Sequence, residues 1–268
     1  MFLPNLTKLP PIRQMYIPDP GFILCRSDLD RADAQVVAWE ADDQELKTIF
    51  REGLDMHLAN ARIAFQLDFT LNDLRDPLRL KEIAKAFAYE RQLAKGIVHA
   101  TNYGSTAHGL ALNFGLSQSA AAHFQEVWFS EHPGIRAWHD RIMLQLQTTR
   151  MVTNAFGFSR RYLDRIDRLL PEALAWIPQS TVARIINEGI SNIDEDRRLW
   201  GIVENLLQVH DEAIYQIKND SFEEVKPIVH EHLLIEVPYP DPLVIPIGLK
   251  VSTRSWHDAE ETPWEKAA

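Results

Sequence analysis

The chain is poor in the features that give many functions away. It has one cysteine, Cys25, among 268 residues. No intrachain disulfide and no cysteine-built zinc site can form, and a lone thiol fits a reducing interior. No apolar run approaches the roughly 20 residues of a membrane span. The N-terminal stretch carries Pro4, Pro10, Pro11, Pro18 and Pro20 where a signal peptide would carry an apolar run. Repeats and low-complexity tracts are missing, and the ten histidines include no H-x3-H pair. Positive charge is also short, with 28 Lys+Arg against 38 Asp+Glu and a net charge of −10. Duplex affinity comes largely from phosphate neutralisation by basic side chains, so this chain alone should hold DNA weakly. The length suits one large domain or two intimate ones with a substantial core.

The most informative segment present is Leu207-Gln-Val-His-Asp-Glu-Ala-Ile214. Leu206 and Leu207 lead in, and Ala213, Ile214, Tyr215 and Ile217 lead out. The flanks read as short strands, and His210, Asp211 and Glu212 as the tip between them. Adjacent acids at a buried tip are costly unless something neutralises them, and Mg²⁺ takes oxygen ligands. The bland alternative is a solvated hairpin turn.

A second acid follows the same pattern. Phe22 to Asp28 is an apolar strand ending on Asp28. Ala32, Val36 and Trp39 then recur at helical spacing, so strand gives way to helix just after the acid. Asp28 and Asp211 can therefore sit at strand tips of one sheet, where two carboxylates can hold two metal ions for phosphoryl transfer. Taken alone, Asp28 also reads as an N-cap and Asp33 as a solvated helix position.

The third element is a helix over roughly Ala84 to Tyr103. Arg91, Lys95, His99 and Tyr103 are spaced four apart, which makes one slowly drifting stripe. A guanidinium and an ammonium on one face suit a triphosphate, and the aromatic end can stack on a base. An ordinary solvated basic face is the alternative. Gly104 ends the helix as a C-terminal cap glycine should.

Together, in this order, these segments resemble the palm and fingers of family A (DNA polymerase I-like) DNA polymerases. The family's first motif is a strand ending in Asp with an acid five positions on, here Asp28 and Asp33. Its second, R-x3-K-x3-(F/Y)-x3-Y-G, is matched by Arg91, Lys95, His99, Tyr103 and Gly104. Its third, V-H-D-E, is Val209 to Glu212. Phe50-x-x-Gly53-x-Asp55-x-His57, Gly109-Leu110-Ala111, Pro133-Gly134, Gln179-Ser180-Thr181, and Asn5-Leu6 to Pro10 with Ile12-Arg13-Gln14 match further family segments. The likeness runs over nearly the whole chain, and its style looks viral.

The resemblance implies an α+β fold, an antiparallel palm sheet with flanking helices and a mainly helical fingers insertion. Palm would be 1–55 and 177–268, fingers 56–176. It implies template-directed transfer from dNTPs to a primer 3′-OH on primer–template DNA. Two Mg²⁺ ions would be held by Asp28, Asp211 and the Leu29 carbonyl. Arg91, Lys95 and His57 would hold the triphosphate, with Lys95 also donating a proton to pyrophosphate. His99 and Tyr103 would shape the base-pair pocket, and Asp33 would exclude a 2′-OH. Gln179, His210 and Glu212 would lie along the DNA. Departures from the pattern are Leu29 for Tyr, Asp30-Arg31 for Ser-Gln, Asp33 for Glu and His99 for Phe or Tyr. The stretch Glu172 to Pro178 lacks the family's Arg and Asn.

The family's thumb, primer-gripping stretch and exonuclease fall upstream of the matched segments. With the acidic balance, this predicts one part of a split or truncated enzyme, a thumb-bearing partner chain, no membrane, and a cytoplasmic site (the host cytoplasm if viral). The alternatives are a non-catalytic DNA-binding subunit, a metal-dependent nuclease and a template-directed RNA polymerase. Along the chain, residues 1–20 read as an extended lead, Ser117–Glu131 as a capped helix, 154–162 as a hairpin, and 171–192 and Asp194–Asn205 as helices. Phe222–Leu234 reads as a further helix, Leu243–Ser252 as an edge strand, and the tail after Trp256 as frayed.

Overall fold

Strand β1 (Phe22–Leu29) is the centre of the acid-bearing sheet because its alternation buries Cys25, Ser27 and Leu29 on one side. The computed structural model describes residues 9–265, so Asn5 to Lys8 of the first matched segment lie outside the described residues. The lead is not wholly extended. Pro10–Gln14 forms a short helix, α1, since proline's fixed φ suits a first helical turn. After β1 comes α2 (Ala32–Glu40).

A run of helices follows, and their starts are written in the sequence. Asp43 caps α3 (Gln44–Arg51), accepting from Leu46 N at 2.9 Å, and Asp55 caps α4 (Met56–Ala64), accepting from Leu58 N at 3.0 Å. Thr70 and Asp73 close a capping box on α5 (Leu71–Arg75). Asp76 with Pro77 starts α6 (Pro77–Ala86). The stripe-bearing helix is shorter than expected. It is α7, Ala88–Asn102, separated from α6 by Phe87, which leaves helical geometry at ψ 33° while its ring packs on Phe69 at 5.7 Å. Then come α8 (Ala107–Phe114), α9 (Gln118–Glu131, capped by Ser117) and α10 (Pro133–Thr148). The predicted hairpin is β2 (Met151–Thr153) with β3 (Ser159–Arg161).

Helix α11 (Leu170–Glu195) leads to β4 (Val203–Val209), β5 (Glu212–Lys218) and α12 (Phe222–Leu233). The helix expected over Asp194–Asn205 does not form. Asp196 instead gathers Arg198 and His232 into a turn, with His232 Nε2 at 2.7 Å, and Gly201 takes φ +69°. Short β6 (Glu236–Val237) and β7 (Leu243–Val244) pair with each other. Pro246 then breaks the expected single strand, and β8 (Ile247–Ser252) begins after it. β8 is internal, because the tail supplies β9 (Glu260–Glu261) and the sheet order is β4-β5-β1-β8-β9. The expectation of a frayed tail after Trp256 is therefore corrected through residue 265.

The sheet is antiparallel throughout. Asp28 lies opposite Glu212 on β5 and Gly248 on β8, and Arg26 opposite Ile214 and Lys250. Backbone contacts divide the chain into one unit of 1–32 with 180–268 and another of 33–179. Within the first unit Trp256 packs with Leu24 and Ile214, and Tyr16 meets its ring edge-on at 5.6 Å. In the helical unit Trp128 and Trp138 are fully buried, and a Cβ on Gly96 would strike the Phe114 ring, so α7 and α8 need glycine where they cross. No helix among the described residues is long and apolar enough to cross a membrane.

Candidate active site

β4 and β5 are joined by two residues, His210 and Asp211. His210 sits at φ +56°, a conformation that histidine tolerates better than most side chains. The turn brings Asp211 against the end of β1, where Leu29 N donates to the Asp211 carbonyl at 3.1 Å. Asp28 and Asp211 therefore share one strand tip, as the sequence predicted. Asp28 has an open outer side, but the protein crowded around it desolvates the carboxylate. Asp211 and then Glu212 add repulsion, Arg26 and Lys250 oppose it weakly, and the result is a carboxyl pushed up to about 6.

Glu212 is arranged differently. It is buried, ion-paired to Arg26, and accepts from Trp256 Nε1 at 3.2 Å. It was expected along the DNA, yet its carboxylate is committed to these two partners. Arg26 is the residue that the sequence reading missed. The available signal was the strand's period of two, which puts Arg26 on the same side as Asp28. Among the described residues no group of three or more His, Cys, Asp or Glu is placed to hold a metal, and Glu212, although opposite Asp28 in register, is occupied by Arg26 and Trp256. The remaining donor set, the carboxylates of Asp28 and Asp211 with Asp28 raised by desolvation and then by its acidic neighbours, suits a hard divalent cation such as Mg²⁺.

The helical unit holds the other predicted residues. Helix α7 buries Ala94, Ile97, Val98 and Thr101. That leaves Lys95 and His99 exposed and Arg91 and Tyr103 half-buried, so the stripe exists as one face. Arg91 Nε is held by Asp55 Oδ2 at 2.9 Å. Tyr103 donates to Asp33 Oδ2 at 3.1 Å and meets His99 edge-on at 4.5 Å. Burial, then the Asp33 charge and hydrogen bond, raise the Tyr103 phenol well above its ordinary range. Partial desolvation holds the His99 imidazole below its usual value, with Asp33 opposing. His57 lies in the first turn of α4, two residues after its Asp55 cap, and Gly53 ahead of it takes φ +65°. Gln179 is exposed on α11 just after Pro178.

The description "DNA polymerase family A" fits residues 3–258 of this sequence. The chain belongs to DNA polymerase family A. The thermostable DNA polymerase I of Thermus filiformis is 29% identical over 273 residues, covering 96% of this chain and 30% of that protein. DNA polymerase I of Deinococcus radiodurans is 28% identical over 272 residues, covering 96% of this chain and 26% of its own length. The family A chain thus spans less than a third of either relative. Its fold is similar to the POL domain of Pol1 from M. smegmatis, solved in complex with DNA primer-template and dNTP. That likeness has a TM-score of 0.77 at 23% identity and covers 93% of this chain and 43% of the other.

Proposed function

We propose that this family A chain carries the nucleotidyl-transfer centre of a template-directed DNA polymerase. The observation that carries the reading is the shared strand tip of Asp28 and Asp211, brought together by the β1–β5 register from distant parts of the sequence. Two Mg²⁺ ions bound there would activate a primer 3′-OH and stabilise the leaving oxygen. Asp28, Asp211 and the Leu29 carbonyl are their proposed ligands. The chain's other residues position and neutralise. Arg91 and Lys95 hold the triphosphate of a dNTP, the first as a fork and the second as a point charge. His57 joins them, and Lys95 passes a proton to the departing pyrophosphate. The Asp33–Tyr103 pair, tied by its hydrogen bond, gates the sugar, and His99 beside it faces the base. Gln179 and His210 follow the DNA strands, while Glu212 steadies the acid tip through Arg26.

The 28 cations against 38 acids support a role as one part of a larger polymerase, with thumb residues coming from a partner chain. Primer extension with Mg²⁺ and dNTPs, with and without candidate thumb chains, tests both ideas. Extension that vanishes in D28A and D211A is expected. Undiminished extension by either variant would overturn the acid assignment. Mg²⁺-dependent loss of labelled DNA without nucleotides would favour a nuclease, and ribonucleotide incorporation an RNA polymerase.

A further inference from the structure

The family match ends at residue 258, but the chain continues as ordered structure to 265. This tail is built into the sheet unit. β9 pairs with β8, with Lys250 opposite Glu261. Thr262 N donates to the Leu249 carbonyl at 2.9 Å, and Trp264 Nε1 to the Ile247 carbonyl at 2.8 Å. The Trp264 ring stacks on His230 at 4.4 Å and 7°. Glu261, Thr262, Pro263 and Trp264 thereby wall a cleft of about 610 Å³ that also reaches Asp28, Arg26 and Lys250.

The charges lining this cleft are unequally committed. Asp30 is paired with Arg31 at 2.6 Å, and Arg26 with buried Glu212. Lys250 has a weaker hold, 3.4 Å to a Glu261 whose side chain is 83% exposed. Lys250 stands opposite Arg26, two residues along β8 from Gly248, which faces Asp28. Two residues of strand cover about 7 Å. One nucleotide of a DNA strand covers a similar reach. A phosphate next to a 3′-OH at Asp28 would therefore fall near the Lys250 ammonium.

We propose that the tail-walled cleft receives the primer's terminal internucleotide phosphate, with Lys250 as its cation and Glu261 as the competing anion. This rests on the polymerase reading of Asp28. The carboxylate of Glu261 keeps Lys250 extended into the cleft and yields to the phosphate when the primer enters. Trp264 and Thr262 fix the wall, so the site depends on a segment beyond the family match.

The test is binding of a fluorescent primer–template to the full chain at low salt with Mg²⁺ and no nucleotide, read by anisotropy across a salt series. K250M should weaken binding roughly 5- to 10-fold and flatten the salt slope by about one. E261Q should tighten binding two- to three-fold, which loss of a merely structural contact would not do. A primer whose terminal linkage is a neutral methylphosphonate should weaken wild-type binding as K250M does, and the two changes together should cost no more than either alone. Additive losses, or K250M and E261Q that both bind like wild type, overturn the cleft. If K250M alone is inert while the wild type extends primers, only the cleft fails. If the wild type neither binds nor extends primer–template even with candidate thumb chains present, the polymerase reading falls with it.

Discussion

The sheet unit and the helical unit handle charge in opposite ways. In the first, acids crowd one strand tip and one of them, Glu212, is buried against Arg26, while Asp28 is left desolvated and under repulsion. In the second, cations stand on the open face of α7 while its buried face carries no charge. Crowded like charges cost folding free energy and are retained where a ligand of opposite charge completes them. An exposed cation costs the fold little. Changes in the sheet tip should therefore alter chemistry first, and changes in the helical unit should separate binding from stability.

The largest effect should come from the tip. D28A or D211A is expected to lower primer extension on the order of 10³-fold or more, about 4 kcal/mol of barrier, with circular dichroism unchanged. Residual activity near wild type would make the two units functionally alike. Next in size is a buried contact of the helical unit. Asp43 caps α3 and holds His132 Nδ1 at 2.9 Å, and both are buried. That pairing holds the Asp43 carboxyl below the usual range, against its own desolvation. D43A removes a cap and strands a buried imidazole, so urea unfolding should show a loss of about 3 kcal/mol. A loss within half a kcal/mol would mean that the site relaxes around the missing acid.

The stripe offers the sharper contrast. Lys95 is exposed, whereas Arg91 is tied to Asp55, the cap of α4. K95A should raise the KM for nucleotide by about tenfold, near 1.5 kcal/mol, and lower kcat through loss of the proton donor, with no change in melting temperature. R91A should raise KM alike and also lower the melting temperature, since Asp55 loses its ion-pair partner. Equal melting temperatures for the two variants would show that the Arg91–Asp55 pair contributes nothing to the fold.

Much of this division was legible before any coordinates. Strand-then-acid at Asp28 and the tip at Asp211 follow from local alternation, and the cap at Ser117 is local chemistry. What escaped is non-local. Arg26 meets Glu212 only once β1 and β5 are placed in register. Phe87 breaks a continuous helical pattern because its ring finds Phe69, far off in sequence. Asp196 ends α11 because His232, from α12, reaches back to it. The tail is ordered because β8 offers an unpaired edge and His230 a face for Trp264.

The smallest effect is also the one that isolates crowding from chemistry. A carboxyl that keeps its proton to about pH 6 in the fold, but to about 3.9 when unfolded, binds more protons in the native state between those values. The native state therefore loses stability as pH rises from about 4 to 6, and the loss stays constant above. D28N has no such carboxyl. Its melting temperature should match the wild type near pH 4 and exceed it modestly at pH 7 in the absence of divalent ions. Mg²⁺ should then close the gap by raising the wild type alone. A D28N chain that melts below the wild type at pH 7 without metal would show that desolvation and the charges of Asp211 and Glu212 do not strain Asp28, and the contrast between the two units would lose its physical basis.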